Sequence, residues 1–287
     1  MADFVAFLER AERSPATIRN YACDLRAFAA WFESINGEDL ALSKITPTDL
    51  REYKRFLVAD RGLKPNSTNR HLATLRCFLK WAAEGGMVSD ARALRVPAFE
   101  REVRSGPRWL DRRERFALVR AVEQGDSARD AAIVKLLLNT GLRVQEMCSL
   151  EWHDVTMTER KGVLTVRRGK GGKRRQVPLN ADARKALELA GHALYAGKRM
   201  PIFMGQRGPL TPRGVQSMIC RYAMGIGLDI TPHTLRHTFC KDLVNAGVGL
   251  EKVAALAGHE SMESTRRYCE PSLKDLEIVV ELIGEGP

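Results

Sequence analysis

The chain has 287 residues, 44% of them hydrophobic, with no apolar run near the roughly 18 residues of a membrane span, so about two water-soluble domains are expected. Lys and Arg outnumber Asp and Glu 46 to 35; the net charge of +11 divides into +2 over residues 1–100 and +9 over the remainder. That balance favours a polyanionic partner, nucleic acid ahead of a membrane, because no basic amphipathic surface helix stands out. The six cysteines (23, 77, 148, 220, 240 and 269) are scattered, with no Cys-x-x-Cys pair, which argues against a disulfide scaffold. No basic leader precedes the short apolar stretch at the start. A cytoplasmic, nucleoid-associated protein is expected.

Residues 1–97 read as a helical domain. Ser14-Pro15 opens a helix through Tyr21, Leu25, Phe28, Trp31 and Phe32. Thr46-Pro47-Thr48-Asp49 opens the next with a cap, a proline and an early acid, and Asn66-Ser67-Thr68 opens a third that ends at Gly85-Gly86. Arg19, Arg26, Arg70, Arg76 and Lys80 lie among these helices and fit either solvated faces or DNA phosphates. Pro97 to Pro107 is charged, weakly periodic and bounded by prolines; residues 98–106 read as a linker and 107–287 as a second domain.

In that second domain Asp111 caps a helix, and Ala128–Asn139 forms another, apolar enough to be buried, which Gly141 ends. Arg143 starts a short helix with Glu146 one turn on. Residues 163–168 and 173–179 flank Gly169-Lys170-Gly171-Gly172 as a β-hairpin. Its centre carries Arg167, Arg168, Lys170, Lys173, Arg174 and Arg175 with no acid, a cluster that suits a solvated face or a DNA groove. Helices resume at Ala181, Thr211-Pro212 and Thr231-Pro232. The expected fold is mainly α: a helical N-terminal domain and a mostly α second domain with a small antiparallel β-sheet.

The last of these helices is the most informative. Thr231 suits the N-cap and Pro232 the first turn, so His233, Arg236 and His237 fan across one side while Leu235, Phe239 and Leu243 form the neighbouring apolar stripe. Gly258-His259 and Tyr268 follow. Two guanidiniums can each fork onto phosphate oxygens and stabilise the charge of a pentavalent transition state. Glu146 makes a poor nucleophile for phosphate and suits the orientation of a neighbouring cation. Competing chemistries fit less well. His233-x-x-x-His237 has zincin spacing, but Thr234 stands where the glutamate is needed, and Gly169-Lys170-Gly171-Gly172 lacks Walker A spacing. Neither metal nor cofactor is implied.

Four pieces in order, Thr140-Gly141-Leu142-Arg143-Val144-Gln145-Glu146, the Gly-Lys170-Gly turn, His233-Thr234-Leu235-Arg236-His237, and Leu256-Ala257-Gly258-His259 with Tyr268 nine residues later, resemble the tyrosine recombinase (phage integrase) family, its Xer-like members above all. The resemblance implies that Arg143, Lys170, His233, Arg236, His259 and Tyr268 are catalytic, with Glu146 and His237 in support. Tyr268 would be the nucleophile, with His233 within its reach. Lys170 would be the acid for the leaving 5′-oxygen, preferred to Lys173 because the family's lysine sits in this turn. The basic hairpin would bind double-stranded DNA. The C-terminal stripe Leu273, Leu276, Val280 and Ile283 fits packing on its own domain, or, as the resemblance suggests, docking on a neighbour in a tetramer on two paired DNA sites. A type IB topoisomerase-like enzyme, or a non-catalytic DNA-binding accessory protein, is the alternative.

Overall fold

The computed structural model describes residues 1–88, 107–167, 174–259, 261–269 and 280. The chain divides into two compact units, Met1–Arg104 and Ser105–Pro287.

The first unit contains four described α-helices: α1 (Ala2–Arg10), α2 (Pro15–Asn36), α3 (Pro47–Ala59) and α4 (Pro65–Glu84). Local signals start two of them. The Ser14 hydroxyl accepts from the Thr17 N–H at 3.2 Å, and Thr46 and Asp49 close a reciprocal capping box. Helix α4 begins at Pro65, one residue before the expected opening, with Lys64 at the cap. Helix α1 has no side-chain cap and no proline, so its start left no mark in the sequence; burial of Phe4 and Leu8 holds it. Its rings join an aromatic core with Phe28, Trp31, Tyr53 and Phe78. One polar cluster is built into this unit. The buried Asp24 carboxylate accepts from Arg70 and from the Thr74 hydroxyl, and His71 lies 3.5 Å away.

The second unit is organised around α6 (Ala128–Thr140), whose residues Ala131–Leu138 are apolar and buried except Lys135. Helix α5 (Arg112–Glu123), capped by Asp111 and Glu114, packs on it, as do α8 (Ala181–Leu189) and α11 (Pro232–Asn245). Leu136 and Leu137 are wholly buried here, so truncating either to Ala should cost about 2–5 kcal/mol. After the one-turn helix α7 (Val144–Cys148), strands β1 (Val155–Met157), β2 (Gly162–Val166) and β3 (Arg175–Pro178) form an antiparallel sheet in the order β1-β2-β3. Val155 opposes Leu164, and Leu164 opposes Val177, so one face carries the buried apolar residues. The hairpin is therefore present, with an added strand, β1, whose three residues are too few to show alternation. A second two-stranded pair, β4 (Met204–Gly205) and β5 (Gly208–Pro209), was likewise unpredicted. Helices α9 (His192–Tyr195), α10 (Pro212–Met224), α12 (Leu250–Ala257) and α13 (Met262–Arg266) complete the described part. The mainly α architecture with a small antiparallel sheet matches the expectation.

Candidate active site

Helix α11 starts as its sequence requires. Thr231 is extended, its N–H donates to the Thr234 hydroxyl at 3.1 Å, and Pro232 occupies the first turn. Leu235 is buried and Arg236 points inward, only 4% accessible. Arg236 Nη1 donates to the Gly141 carbonyl at 2.6 Å; its buried Nη2 has no hydrogen-bond partner among the described residues. Burial, then the charge of Arg143, lowers its pKa to about 10, so it remains a cation at neutral pH. A buried, cationic donor without an acceptor is costly unless an anion meets it.

Gly141 makes this approach possible. Its φ is +61°, and a Cβ there would lie 2.3 Å from the Phe239 ring. The end of α6 is thus pressed against α11, with its carbonyl on Arg236 and Arg143 two residues further on. Arg143 caps α7 and donates through Nη1 to Glu146 at 2.9 Å and through Nη2 to the Gly258 carbonyl at 2.7 Å. Glu146 also accepts the Arg143 N–H at 2.8 Å and both Nη1 and Nη2 of Arg175, each at 2.8 Å. Burial pushes this carboxyl's pKa up, but the hydrogen bonds from Arg175 and Arg143 outweigh it and hold Glu146 below the ordinary carboxylate range.

The aromatic half of the site lies beside these cations. Tyr268, 2% accessible, packs with Cys240, Val253 and Ala257. Its hydroxyl is 2.6 Å from His237 Nδ1, and its ring stacks on His259 with centroids 5.9 Å apart. Thr265 serves both neighbours: its hydroxyl meets His259 Nδ1 at 2.8 Å and its carbonyl accepts the Tyr268 N–H at 3.0 Å. Lys241 Nζ reaches the Tyr268 carbonyl at 3.4 Å. Burial, helped by Cys240, raises the Tyr268 pKa, so the phenol stays protonated at neutral pH. His237 and His259 are each lowered to about 4, by burial first, then by His233 and Arg236 for His237 and by Arg236 and Arg143 for His259. His233 shifts the same way, through desolvation and then Arg236 and Arg143. Neutral imidazoles and a neutral phenol therefore surround two guanidiniums. Such a site is set up to receive a phosphate diester.

Comparison with known proteins bears on that reading. The phage integrase family matches residues 108–274, and the phage integrase N-terminal SAM-like domain matches residues 1–86. The tyrosine recombinase XerC of Xanthomonas campestris pv. campestris (strain B100) is 32% identical over 274 residues, covering 92% of this chain and 82% of that protein. XerC of Corynebacterium glutamicum is 34% identical over 273 residues, covering 92% and 84%. The chain belongs to the phage integrase family. It is an enzyme of the tyrosine recombinase type, which cleaves and rejoins DNA through a phosphotyrosine intermediate. Of the readings the sequence left open, the recombinase is the one these relatives carry. Two solved structures share the integrase fold: XerH bound to a palindromic difH substrate, in a post-cleavage complex (TM-score 0.77, 21% identity, 98% of this chain and 85% of that one), and a lambda integrase dimer bound to a core site (TM-score 0.74, 22% identity, 93% of each).

Against this family background, Arg143, Glu146, His233, Arg236, His237, His259 and Tyr268 come together in one cluster. The hydroxyl partner differs from expectation: His237, one turn after His233 on α11, meets the Tyr268 oxygen. Two of the expected DNA contacts have partners within the protein. Arg167 is held by Asp154 at 2.9 Å and Glu151 at 3.3 Å, and Arg175 turns inward onto Glu146 and the Leu256 carbonyl. The sheet explains Arg175: it shares a strand face with the buried Val177, whereas Arg174 and Gln176 face solvent. Alternation along 174–179 carried that signal. Arg174 alone of the described hairpin basics is exposed without a carboxylate partner among the described residues. Arg168, Lys170 and Lys173 lie outside the described residues, as do Leu273, Leu276 and Ile283; Val280 is exposed. Thr265 and Lys241 were missed; the three-residue spacing of Thr265 from Tyr268 was the only hint. No described helix is long and apolar enough to cross a membrane.

Proposed function

We propose that Tyr268 attacks a DNA phosphate held by Arg143 and Arg236, in a recombinase working as a tetramer on two paired sites in the nucleoid. The Tyr268 oxygen bonds to phosphorus and the bond to the 5′-oxygen breaks, giving a 3′-phosphotyrosine and a free 5′-hydroxyl. The tyrosine proton passes to His237, whose Nδ1 is 2.6 Å away. A bound phosphate offsets the positive field of the two arginines and so raises the affinity of the histidines for that proton. His259 donates to the phosphate, and Lys170 protonates the leaving oxygen. Attack by a second 5′-hydroxyl reverses the sequence, so bond energy is conserved and no cofactor or metal enters it. The C-terminal stripe docks on a neighbouring subunit and couples Tyr268 to assembly.

The buried Nη2 of Arg236, without a partner among the described residues, carries this reading, because a buried guanidinium donor beside a tyrosine calls for an anionic substrate. Trapping a covalent complex on a nicked DNA duplex and mapping the attached residue tests it. Tyr268 is expected, and Tyr268→Phe should bind DNA without forming the adduct. An adduct that persists in that variant removes Tyr268 from the role. Deleting residues 272–287 should spare single-site binding and impair the paired complex; a large loss of thermal stability without DNA would instead place the stripe on its own domain.

A further inference from the structure

We propose that Arg175 is a positioning residue of the cleavage reaction, locking strand β3 to the turn that presents His259 and to the carboxylate that aims Arg143. Its guanidinium meets three partners from two elements: both oxygens of Glu146, each at 2.8 Å, and the Leu256 carbonyl at 3.1 Å. The Leu256 carbonyl lies in the last turn of α12, two residues before Gly258 and three before His259. Gly258 has φ +68°, and a Cβ there would lie 2.7 Å from Arg175 Nη1. The backbone of the His259 turn therefore lies directly against the guanidinium, and only glycine allows both the conformation and the approach.

The same turn is gripped from its other side, since the Gly258 carbonyl accepts from Arg143 Nη2 at 2.7 Å. Glu146 joins the two arginines. Three chain segments, at 143–146, 175 and 256–259, thus close around one buried carboxylate. A planar fork is required for this geometry; a lysine at 175 keeps the charge but cannot satisfy two carboxylate oxygens and a carbonyl together. The Arg175 guanidinium is turned onto Glu146 and the Leu256 carbonyl. It acts through Arg143 and His259.

This inference rests on the proposed roles of Arg143 and His259. Its test measures DNA affinity, the salt dependence of that affinity, and the single-turnover rate of covalent complex formation on saturating nicked DNA. For Arg175→Lys the cleavage rate should fall on the order of 10²-fold, the scale set by small misplacements in an active site. Affinity and salt slope should stay at their wild-type values. Arg174→Ala provides the contrast, with lower affinity and a salt slope reduced by about one phosphate contact. In a cycle with Glu146→Gln, the rate losses of Arg175→Gln should be strongly non-additive. Melting temperatures accompany each variant, and should Arg175→Lys fail to fold, Arg175→Gln in the Glu146→Gln background supplies the measurement.

An Arg175→Lys enzyme that loses affinity and salt slope but cleaves normally when saturated would make Arg175 a DNA contact and overturn the inference. Additive losses in the cycle would overturn it as well. His259→Ala separates this from the underlying reading: normal cleavage by that variant defeats the site assignment, whereas slow cleavage there with normal cleavage by Arg175→Lys defeats only the role of Arg175.

Discussion

Each unit buries a polar cluster, and the two clusters are finished differently. In the first, the Asp24 carboxylate receives Arg70, Thr74 and His71, and the group closes on itself. In the second, Glu146 ties together Arg143 and Arg175, but Arg236 beside them keeps a buried donor without a partner among the described residues. A closed cluster fixes how two helices meet. An open one stores a demand for a ligand, at a cost in the free protein that binding repays.

Breaking the open cluster should produce the largest effect. Arg236→Ala should slow covalent cleavage by about 10²–10³-fold, as for loss of a preorganised donor to developing negative charge, while thermal stability changes little. Single-turnover cleavage and a melting curve check both halves, and a variant that is unstable yet cleaves well would reverse the contrast. Lys170→Ala should likewise slow cleavage much more than binding. A 5′-phosphorothiolate, whose leaving group needs no proton, should restore its rate. Rescue of Lys173→Ala instead would exchange the two lysines.

Stability changes are the next smaller effects. Gly141→Ala faces a left-handed backbone and the Phe239 ring together, and should cost roughly 1–3 kcal/mol in urea unfolding. It should also slow cleavage, because Arg236 hangs on the Gly141 carbonyl. Asp24→Ala, in the closed cluster, should cost about 1–3 kcal/mol with no change in the cleavage rate of bound complexes.

A further expected effect is on pH dependence. His237 and His259 hold pKa values of about 4 in the folded protein, against about 6.5 when unfolded. Between these values the unfolded chain binds more protons, so the stability these neutral rings allow is complete above pH 6.5 and is lost as pH falls towards 4. Melting temperatures of the wild type and of His237→Asn, compared from pH 7 to 4, should show a shallower acid decline for the variant. Parallel curves would contradict the depressed values.

Much of this was legible in the sequence because helix starts leave local marks. Ser14, Thr46, Asp111 and Thr231 each announce a helix through a cap and, in three of the four, an adjacent proline. The cluster's members were legible as residue types at a given spacing. Their pairings were not, because a pairing is set by where separate elements cross. Whether Tyr268 meets His233 or His237 depends on how α13 lies over α11, and both histidines share one helix face. Arg175 was read as part of a charge run, although its position on the face of Val177 already placed it inward. Helix α1, β1 and the β4–β5 pair owe their existence to packing, and short segments held that way carry little periodicity.

The packing of Tyr268 bears on how this chain could change over evolutionary time. With Cys240, Val253 and Ala257 around it, the ring is a small keystone for the corner formed by α11, α12 and α13, as well as a reactive group. A lineage that abandons DNA cleavage could lose the hydroxyl at little structural expense, because phenylalanine fills the same volume. Loss of the whole ring would open a void in that corner. Descendants that no longer cut DNA should therefore keep an aromatic residue at position 268, and an aromatic there without its oxygen would mark a retired enzyme whose architecture still depends on its former nucleophile.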